Sequence, residues 1–219
     1  MEQQFINQLF YGFPSKENAV FLDKSTIYDK YYSNFLNTPF PVNDSAETMK
    51  ELFIVSQAIE DGKDKNAHLI IDQYHYDYVI KQLKKQGIEI SEDTLMKIIL
   101  NVAPLVMRLK MHYQRPRPFQ LGFIANIPIF PHGSTSALSP AYPSGHACQS
   151  RYFGLVIAYF YPDKEDFLMQ LSDYIAHSRV SIGVHYPSDN AFGQAIAEYL
   201  FKTPETQRFL ESIRSEIVK

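Results

Sequence analysis

The stretch PSGHACQSRYFGLVIAYF, residues 143–160, predicts a helix that begins at a serine and continues into an apolar run. Ser144 is suited to cap the first turn, because its hydroxyl oxygen can accept a hydrogen bond from a free backbone N–H group. The apolar run Phe153–Tyr161 follows and Pro162 closes it, so the helix is expected over about 145–160. On the carboxyl side, further helices are predicted over about 164–183 and 188–201, and a short one from Thr203-Pro204-Glu205.

Helix signals also precede this stretch. Asp44 or Ser45 can cap a helix that should end near Gly62. Its expected apolar stripe consists of Met49, Leu52, Phe53 and Ile59. A second helix is predicted from about residue 66 to residue 86, because Gly87 is a typical end signal.

A third predicted helix begins at Ser91, whose hydroxyl can cap it while Glu92 and Asp93 face the positive end of the helix dipole. It should end near Tyr113. We expect a kink at Pro104, since proline removes a backbone donor and clashes with the preceding turn. The side chains expected to point inward are Leu95, Ile98, Ile99, Val102, Val106 and Leu109.

The remaining segments complete an all-α prediction. Residues 114–143 are rich in proline and have no helical period, so we interpret them as a long ordered loop, a feature that is often functional. No stretch shows the sustained alternation of a strand. The length fits a single helical domain over residues 1–219, in which the aromatic-rich first 40 residues are difficult to place.

Composition limits the classes of function and location. The formal net charge of −3 argues against a basic, nucleic-acid-binding surface, and Cys148 is the only cysteine, so no intrachain disulfide can form. The N-terminal MEQQFINQLFYGF lacks the pattern of a signal peptide, and no run approaches the roughly 20 apolar residues of a membrane span. We therefore expect a soluble, cytoplasmic protein, periplasmic only if a signal peptide has been removed. Nothing in the sequence indicates an oligomeric state.

The motif Pro143-Ser144-Gly145-His146 stands where the long loop becomes a helix. The free N–H groups of a first helical turn and the helix dipole together form an anion site. Gly145 lets the backbone approach a ligand closely, and His146 can give a proton to a group leaving the anion. An ordinary capped helix with a surface histidine explains the motif equally well.

Two cations, Lys110 and Arg117, lie seven residues apart at the end of the third predicted helix. Arg117 can fork onto two phosphate oxygens, whereas Lys110 is a compact point charge. Pro116 and Pro118 stiffen the backbone around Arg117, and Arg115 is an additional candidate. Taken singly, a solvated basic helix end is the simpler explanation.

The third group spans a helix junction and contains Ser178-Arg179, His185 and Asp189. The Asp189 carboxylate can fix the tautomer of His185 and leave its other ring nitrogen free to attack, while Arg179 can neutralise the same anion. A salt-bridged junction is the ordinary alternative. The three groups together, however, supply two histidines, three cations and an anion-binding helix start. These are the groups that phosphoryl transfer through a histidine requires.

The three groups resemble the signature of the superfamily that joins type 2 phosphatidic acid phosphatases, bacterial class A acid phosphatases and vanadium haloperoxidases. That signature is a lysine, six residues and Arg-Pro; then Pro-Ser-Gly-His; then Ser-Arg, five residues, His, three residues and Asp. All parts match without substitution, over about residues 108–195, whereas residues 1–90 match none of it. Here the parts are Lys110 with Arg117-Pro118, Pro143-Ser144-Gly145-His146, and Ser178-Arg179 with His185 and Asp189.

The resemblance implies a helical bundle of the acid phosphatase and vanadium haloperoxidase type, with a phosphate site at one end of the central helices. It assigns His185 as the nucleophile that forms a phosphohistidine, Asp189 as the residue that orients it, and His146 as the proton donor to the leaving alcohol and later the base that activates water. The phosphatases of this family need no metal and no cofactor. The groups that would hold the phosphoryl oxygens are Lys110, Arg117, Ser144, the Gly145 amide and Arg179.

Two other functions stay open. A vanadium-dependent haloperoxidase would use the same pocket to hold vanadate, with His185 bound to the metal, although the short chain is more typical of the phosphatases. A non-catalytic phosphate-binding module would need only the cations, so the intact histidines argue against it. The expected partner is a small soluble phosphomonoester or inorganic phosphate, and no nucleic acid. The run 74–78, YHYDY, can line a substrate pocket, or it can present aromatic side chains to the core.

Overall fold

The computed structural model describes residues 6–218, and within that range it contains helices and no strand, which confirms the all-α prediction. None of the helices in this range has the length and apolar character needed to cross a membrane. The α-helices, in chain order, are α1 (Lys16–Ala19), α2 (Ala46–Asp61), α3 (Lys65–Gln73), α4 (His75–Lys85), α5 (Glu92–Leu100), α6 (Ala103–Tyr113), α7 (Pro118–Ile124), α8 (Gly145–Phe160), α9 (Glu165–Ser181), α10 (Pro187–Phe201) and α11 (Pro204–Ile217), with 3₁₀ helices at Asp29–Phe35 and Pro162–Lys164.

Helix α8 lies at the centre of the fold. Its bounds, Gly145–Phe160, are those predicted from the sequence. It packs most extensively against α9 and α10 and also contacts α5, α6 and α11. The Ser144 hydroxyl accepts the predicted capping bond, from the Ala147 N–H at 3.4 Å. Gly193 of α10 passes so close that a Cβ atom there would lie 2.6 Å from the Ser144 carbonyl oxygen. The glycine therefore allows α10 to approach the start of α8.

Helix α2 confirms the predicted serine cap and glycine end. The Ser45 hydroxyl accepts from the Thr48 N–H at 3.1 Å, and Gly62 has a φ of 55°. One member of the expected apolar stripe was wrong: Leu52 is fully buried, but Phe53 is 57% exposed. Neighbouring helical residues point about 100° apart, and the buried face of α2 extends from Leu52 towards Glu51 and Val55, so Phe53 points away from it.

The single helix predicted over 66–86 is wrong, because the structure has two helices that meet at Tyr74. Tyr74 has a φ of −132° and a ψ of 48°, outside the helical region, and it is 57% exposed. The helical period continues across this point without Gly or Pro, so the sequence carries no break signal. Asp72 and His75, on either side of the break, are both buried.

The helix predicted over 91–113 is also divided, into α5 and α6. Pro104 occupies the first turn of α6, where the missing N–H costs nothing, so it starts a helix instead of kinking one. The Ser91 cap is confirmed by a 3.1 Å bond from the Thr94 N–H. All six residues predicted to point inward are at most 3% exposed.

The long loop contains one short helix that the sequence analysis missed, α7, which starts at Pro118. The Arg117 N–H donates to the Gln120 side chain at 2.8 Å, which helps to begin that helix. The three predicted helices at the carboxyl end are confirmed, although α11 is longer than expected at 14 residues. Gly183, in the turn after α9, has a φ of 82° and leads the chain to His185.

Candidate active site

Six of the eight predicted site residues line one cavity of about 180 Å³ at the start of α8. The other two, Ser144 and Asp189, are fully buried behind it. A direct backbone bond joins them, from the Ser144 N–H to the Asp189 carbonyl oxygen at 2.9 Å. The six lining residues are Lys110, Arg117, Gly145, His146, Arg179 and His185.

The two ring nitrogens of His185 have different partners. Nδ1 lies 2.9 Å from Oδ2 of Asp189, and Nε2 lies 2.8 Å from NH1 of Arg117. A carboxylate only accepts and a guanidinium only donates, so the proton belongs on Nδ1 and the lone pair on Nε2. Burial, followed by the charges of Arg117 and Lys110, holds the pKa of His185 well below its ordinary value. The imidazole is therefore neutral, with Nε2 as its nucleophilic atom.

Asp189 is held on both oxygens. Oδ2 also accepts from the Tyr186 N–H at 2.9 Å, and Oδ1 accepts from NH1 of Arg115 at 2.7 Å. The side chains of Asp189 and Arg115 are both fully buried. The carboxylate therefore has little freedom to rotate, and it fixes the plane of the His185 ring.

Arg115 does not face the phosphate cavity, where the sequence analysis placed it as an additional candidate. Besides Asp189, its guanidinium donates to Oε2 of Glu51 at 2.9 Å and stacks on the Tyr186 ring, 3.8 Å from the centroid. Glu51 also accepts from the N–H and hydroxyl of Ser188, at 2.6 and 2.7 Å. This network fixes the start of α10, where Asp189 sits. The one signal for Glu51 in the sequence was an acidic residue next to Leu52, a side chain expected to be buried.

Two further cations, Arg117 and Lys110, are anchored by backbone carbonyl groups. Arg117 donates from Nε to Ser139 and from NH1 to Val184, both at 2.7 Å. Burial lowers the pKa of Arg117 to about 10, so it remains charged at neutral pH. Lys110 donates to the Pro140 carbonyl oxygen at 2.6 Å, and burial and then Arg117 lower its pKa well below the usual range. An anion in the cavity would restore the charged form of Lys110.

Arg179 has two unsatisfied donors. Its NH2 group donates to Asp72 at 2.7 Å and to Ser136 at 2.9 Å, but Nε and NH1 are buried and have no hydrogen-bond partner within residues 6–218. A buried donor without a partner costs about 1–3 kcal/mol. Oxygen atoms of a bound anion would remove that cost.

Asp72 is a second carboxylate that the sequence analysis missed. It accepts from the hydroxyls of Ser134 and Ser136 at 2.7 and 2.6 Å and from the Thr135 N–H at 2.7 Å, besides its ion pair with Arg179. Burial raises the pKa of Asp72, but Arg179 and the hydroxyls outweigh this and lower it to about 2. Asp72 therefore ties Arg179 to the long loop.

His146 stands in the first turn of α8, half-buried, with its ring packed on His75 at a centroid distance of 4.8 Å. Burial, then the charge of Arg179, holds the pKa of His146 well below its ordinary value. His75 belongs to the run 74–78, for which the sequence left open a place in a pocket or in the core. Burial and Arg179 lower its pKa to about 4, so both rings are neutral at pH 7.

The start of α8 offers backbone N–H groups to the cavity. The N–H groups of a first helical turn have no partner within the helix, and those of Gly145 and His146 belong to this turn. A Cβ atom at Gly145 would lie 3.8 Å from Cε of Lys110, an ordinary contact distance. Ser144 uses its hydroxyl to cap the helix, so its part in anion binding remains a prediction.

Solved structures share this fold, and one of them is a vanadium enzyme. It is described as the crystal structure of the first bacterial vanadium-dependent iodoperoxidase, and it superposes with a TM-score of 0.58 at 17% sequence identity. The alignment covers 77% of this chain and 51% of that one, so the present chain spans about half the length of the iodoperoxidase. The likeness shows that the helical bundle is of the haloperoxidase type. No curated protein matches the chain.

The family model of the PAP2 superfamily matches residues 94–203, half of the chain. All eight predicted site residues lie inside this segment, whereas Glu51, Asp72 and His75 lie before it. The sequence resemblance, the helical fold and the family model agree, and we conclude that the chain belongs to the PAP2 superfamily.

Proposed function

We propose that the protein is a metal-independent phosphatase that hydrolyses phosphomonoesters through a phosphohistidine on His185. The observation that carries this proposal is the state of the His185 ring. Asp189 holds a proton on Nδ1, and Arg117 donates to Nε2 at 2.8 Å, so the nucleophilic lone pair points among fixed cations. A nucleophile that is oriented and activated by an adjacent hydrogen-bonded side chain is the usual arrangement for covalent catalysis.

The charges around the cavity support an anionic substrate. Among the described residues of the site, three buried arginines balance three buried carboxylates, so the charge that Lys110 regains when an anion binds is the excess positive charge. The unpartnered donors of Arg179 and the first-turn N–H groups of α8 are positioned to bind phosphoryl oxygens. The cations are Lys110, Arg115, Arg117 and Arg179, and the carboxylates are Glu51, Asp72 and Asp189.

Substrate binding has to change one hydrogen bond. NH1 of Arg117 occupies the lone pair of His185 Nε2, so it must transfer to a phosphoryl oxygen before Nε2 can attack. The P–N bond then forms as the P–O bond to the alcohol breaks, and His146 gives a proton to the leaving oxygen. Phosphorylated His185 keeps its Nδ1 proton and is positively charged, and Asp189 stabilises that charge.

The second step reverses these roles. His146, neutral after the first step, takes a proton from water, whose oxygen attacks phosphorus while the P–N bond breaks. Phosphate leaves and His185 regains its lone pair. His146 has to be protonated for the first step, although burial and then the neighbouring cations hold its pKa low. A phosphate dianion offsets that repulsion, so proton uptake by His146 accompanies substrate binding.

A vanadium-dependent haloperoxidase is the second candidate, and the fold shared with an iodoperoxidase favours it. The donors fit vanadate, because it has the charge and oxygen arrangement of phosphate and Arg179 has two buried donors free to bind oxygens. His185, Lys110, Arg117 and Arg179 would hold it. When bound, vanadate supplies the activation of peroxide that halide oxidation needs.

The first experiment measures nitrophenol release from p-nitrophenyl phosphate between pH 4 and 9, with EDTA present. We compare the wild type with His185→Ala and with His112→Ala, an exposed histidine outside the cavity. We expect turnover that vanadate inhibits, that His185→Ala abolishes and that His112→Ala retains. Acid-labile phosphate on His185, trapped by rapid quenching and located by mass spectrometry, would identify the intermediate.

Other outcomes select the alternatives. Bromination of a dye with peroxide and added vanadate, without ester hydrolysis, would replace the phosphatase proposal by the haloperoxidase. Phosphate binding without turnover of any ester would leave a binding module. Hydrolysis that EDTA abolishes would contradict the metal-independent mechanism.

A further inference from the structure

A second cavity adjoins the phosphate cavity on the side of His146. Its volume is about 300 Å³, and both cavities are lined by Tyr76, Ser136, His146 and Gln149. The rest of its wall comes largely from the break between α3 and α4, the part of the chain that interrupts the predicted helix. The break therefore contributes to a second concave surface directly beside the proposed proton donor.

The direction of the proposed reaction connects the two cavities. In phosphoryl transfer the attacking and leaving atoms lie roughly in line, on opposite sides of phosphorus. His185 attacks from one side, and His146 has to reach the leaving oxygen on the other. The alcohol bonded to that oxygen must then extend past His146, where the second cavity begins.

Two exposed side chains give the second cavity a negative charge. Asp77 and Glu92 both line it, both are exposed, and neither forms an ion pair within residues 6–218. Across the same described residues, no Lys or Arg side chain lines this cavity. The third carboxylate, Asp72, is neutralised by Arg179. Burial and then the Glu92 carboxylate raise the pKa of the Tyr76 hydroxyl.

The second cavity also offers neutral hydrogen-bonding groups. His75 is 7% exposed, and its Nε2 atom has no hydrogen-bond partner among the described residues. The amides of Gln73 and Gln149 also line the cavity, and each can donate and accept. Tyr74 and Tyr76 add aromatic surface. These groups match hydroxyl-bearing molecules.

We propose that the second cavity binds the leaving alcohol, and that the enzyme selects phosphomonoesters of polar alcohols that carry no negative charge of their own. The inference rests on the proposed phosphatase function. The phosphoryl group binds among the cations, while the carboxylates of Asp77 and Glu92 repel a second anionic group on the same molecule. His75 and the amides bind its hydroxyl groups.

A pair of substrates that differ in one group tests this selection. Glycerol 3-phosphate and 3-phosphoglycerate have the same length, but one ends in a hydroxymethyl group and the other in a carboxylate. We expect wild-type kcat/KM to be higher for glycerol 3-phosphate by about fivefold or more, the effect of one or two partly exposed charges. The preference should shrink in 0.5 M salt, because such charges are screened.

The double variant Asp77→Asn/Glu92→Gln tests the residues. We expect it to reduce the preference for glycerol 3-phosphate at least threefold, mainly through a lower KM for 3-phosphoglycerate. Asp77 and Glu92 stand in the first turns of α4 and α5, and the control, Glu165→Gln/Asp166→Asn, removes two exposed carboxylates from the first turn of α9, outside both cavities. It should keep the wild-type preference. Each ratio is measured on one protein preparation, so a loss of folded protein cancels.

Three results would overturn the inference while the phosphatase function stands. The first is equal turnover of the two substrates by the wild type, and the second is an unchanged preference in the double variant. The third is a preference for hexyl phosphate over glycerol 3-phosphate, which would place the alcohol on an apolar wall. Failure to hydrolyse p-nitrophenyl phosphate or any other ester is a different result. It would reject the phosphatase function, and this inference with it.

Discussion

Asp189→Asn tests how the tautomer of His185 is set. In the native site Oδ2 accepts from His185 Nδ1 and from the Tyr186 N–H, and Oδ1 accepts from Arg115 at 2.7 Å. Asparagine has one oxygen and one NH₂ group, so it cannot accept on both sides. The substitution changes neither size nor shape, and it removes one acceptor and the charge.

Each orientation of the new amide has a defined cost. With its oxygen towards Arg115, the NH₂ group faces the Tyr186 N–H, which loses its acceptor, and His185, whose proton must then move to Nε2, where Arg117 already donates. Nε2 then has no lone pair for attack. With its oxygen towards His185, the NH₂ group faces the buried Arg115, and the unmade hydrogen bond costs about 1–3 kcal/mol. We expect the first orientation, because Arg115 is charged and makes the stronger bond.

The expected loss is roughly 10³- to 10⁴-fold in kcat, or about 4 to 5.5 kcal/mol, the size found when a serine protease histidine is held in the wrong tautomer. The assay is steady-state hydrolysis of p-nitrophenyl phosphate, with thermal unfolding to establish that the variant is folded. Asp173→Asn, an exposed carboxylate paired with Arg151, is the control and should keep wild-type activity. Activity within tenfold of wild type in folded Asp189→Asn would refute the tautomer argument.

Three further substitutions test separate parts of the structure. Asp72→Asn should raise KM about tenfold or more by loosening Arg179, since losing a charge-assisted bond costs 1.5–3 kcal/mol. The native pKa of Asp72, about 2, lies below the unfolded value, so its carboxylate gives about 2 kcal/mol of stability near neutral pH that is lost as the pH falls from 4 through 2. The free energy of unfolding, measured against pH, should therefore fall less steeply below pH 4 in the variant. An unchanged pH dependence would contradict this. Gly193→Ala should cost about 1–3 kcal/mol, because its Cβ would lie 2.6 Å from the Ser144 carbonyl oxygen; an unchanged melting temperature would show that α10 can move away. His146→Ala should accumulate phosphoenzyme from p-nitrophenyl phosphate, whose leaving group needs no proton. It should hydrolyse alkyl phosphates roughly 10²- to 10⁴-fold more slowly than the wild type. Equal losses of activity on both substrates, without phosphoenzyme, would exclude the acid–base role of His146.

The fold was predictable where local signals agree with packing. Ser45, Ser91 and Ser144 each cap a helix, because a hydroxyl near a first turn is a short-range interaction that the sequence displays. The two helix breaks were not predictable in the same way. The sequence around Tyr74 contains no Gly or Pro to signal a break. Pro104 is compatible with either a kink or the start of a new helix, and tertiary contacts decide which of the two forms.

The residues of the candidate site also fall into a group that the sequence predicted and a group that it did not. Fixed spacings along helices and turns bring residues together within each of the three groups, and the resemblance to the superfamily predicted that the groups meet at one site. Glu51 and Asp72 contact Arg115 and Arg179 over separations of 64 and 107 residues, and no local pattern indicates such a pairing. An isolated acidic residue on an amphipathic helix reads as a solvent-facing position until its partner is known.

The partnership of Glu51 and Asp72 with the site arginines sets a minimum size for a working protein. The family match begins at residue 94, and a fragment cut there would keep four cations of the site with the single carboxylate of Asp189. Mutual repulsion among these side chains would oppose the collapse of α6, α8, α9 and α10 onto one another. A catalytic module for engineering or transplantation therefore has to begin before Ser45, with the two amino-terminal carboxylates included as counter-charges.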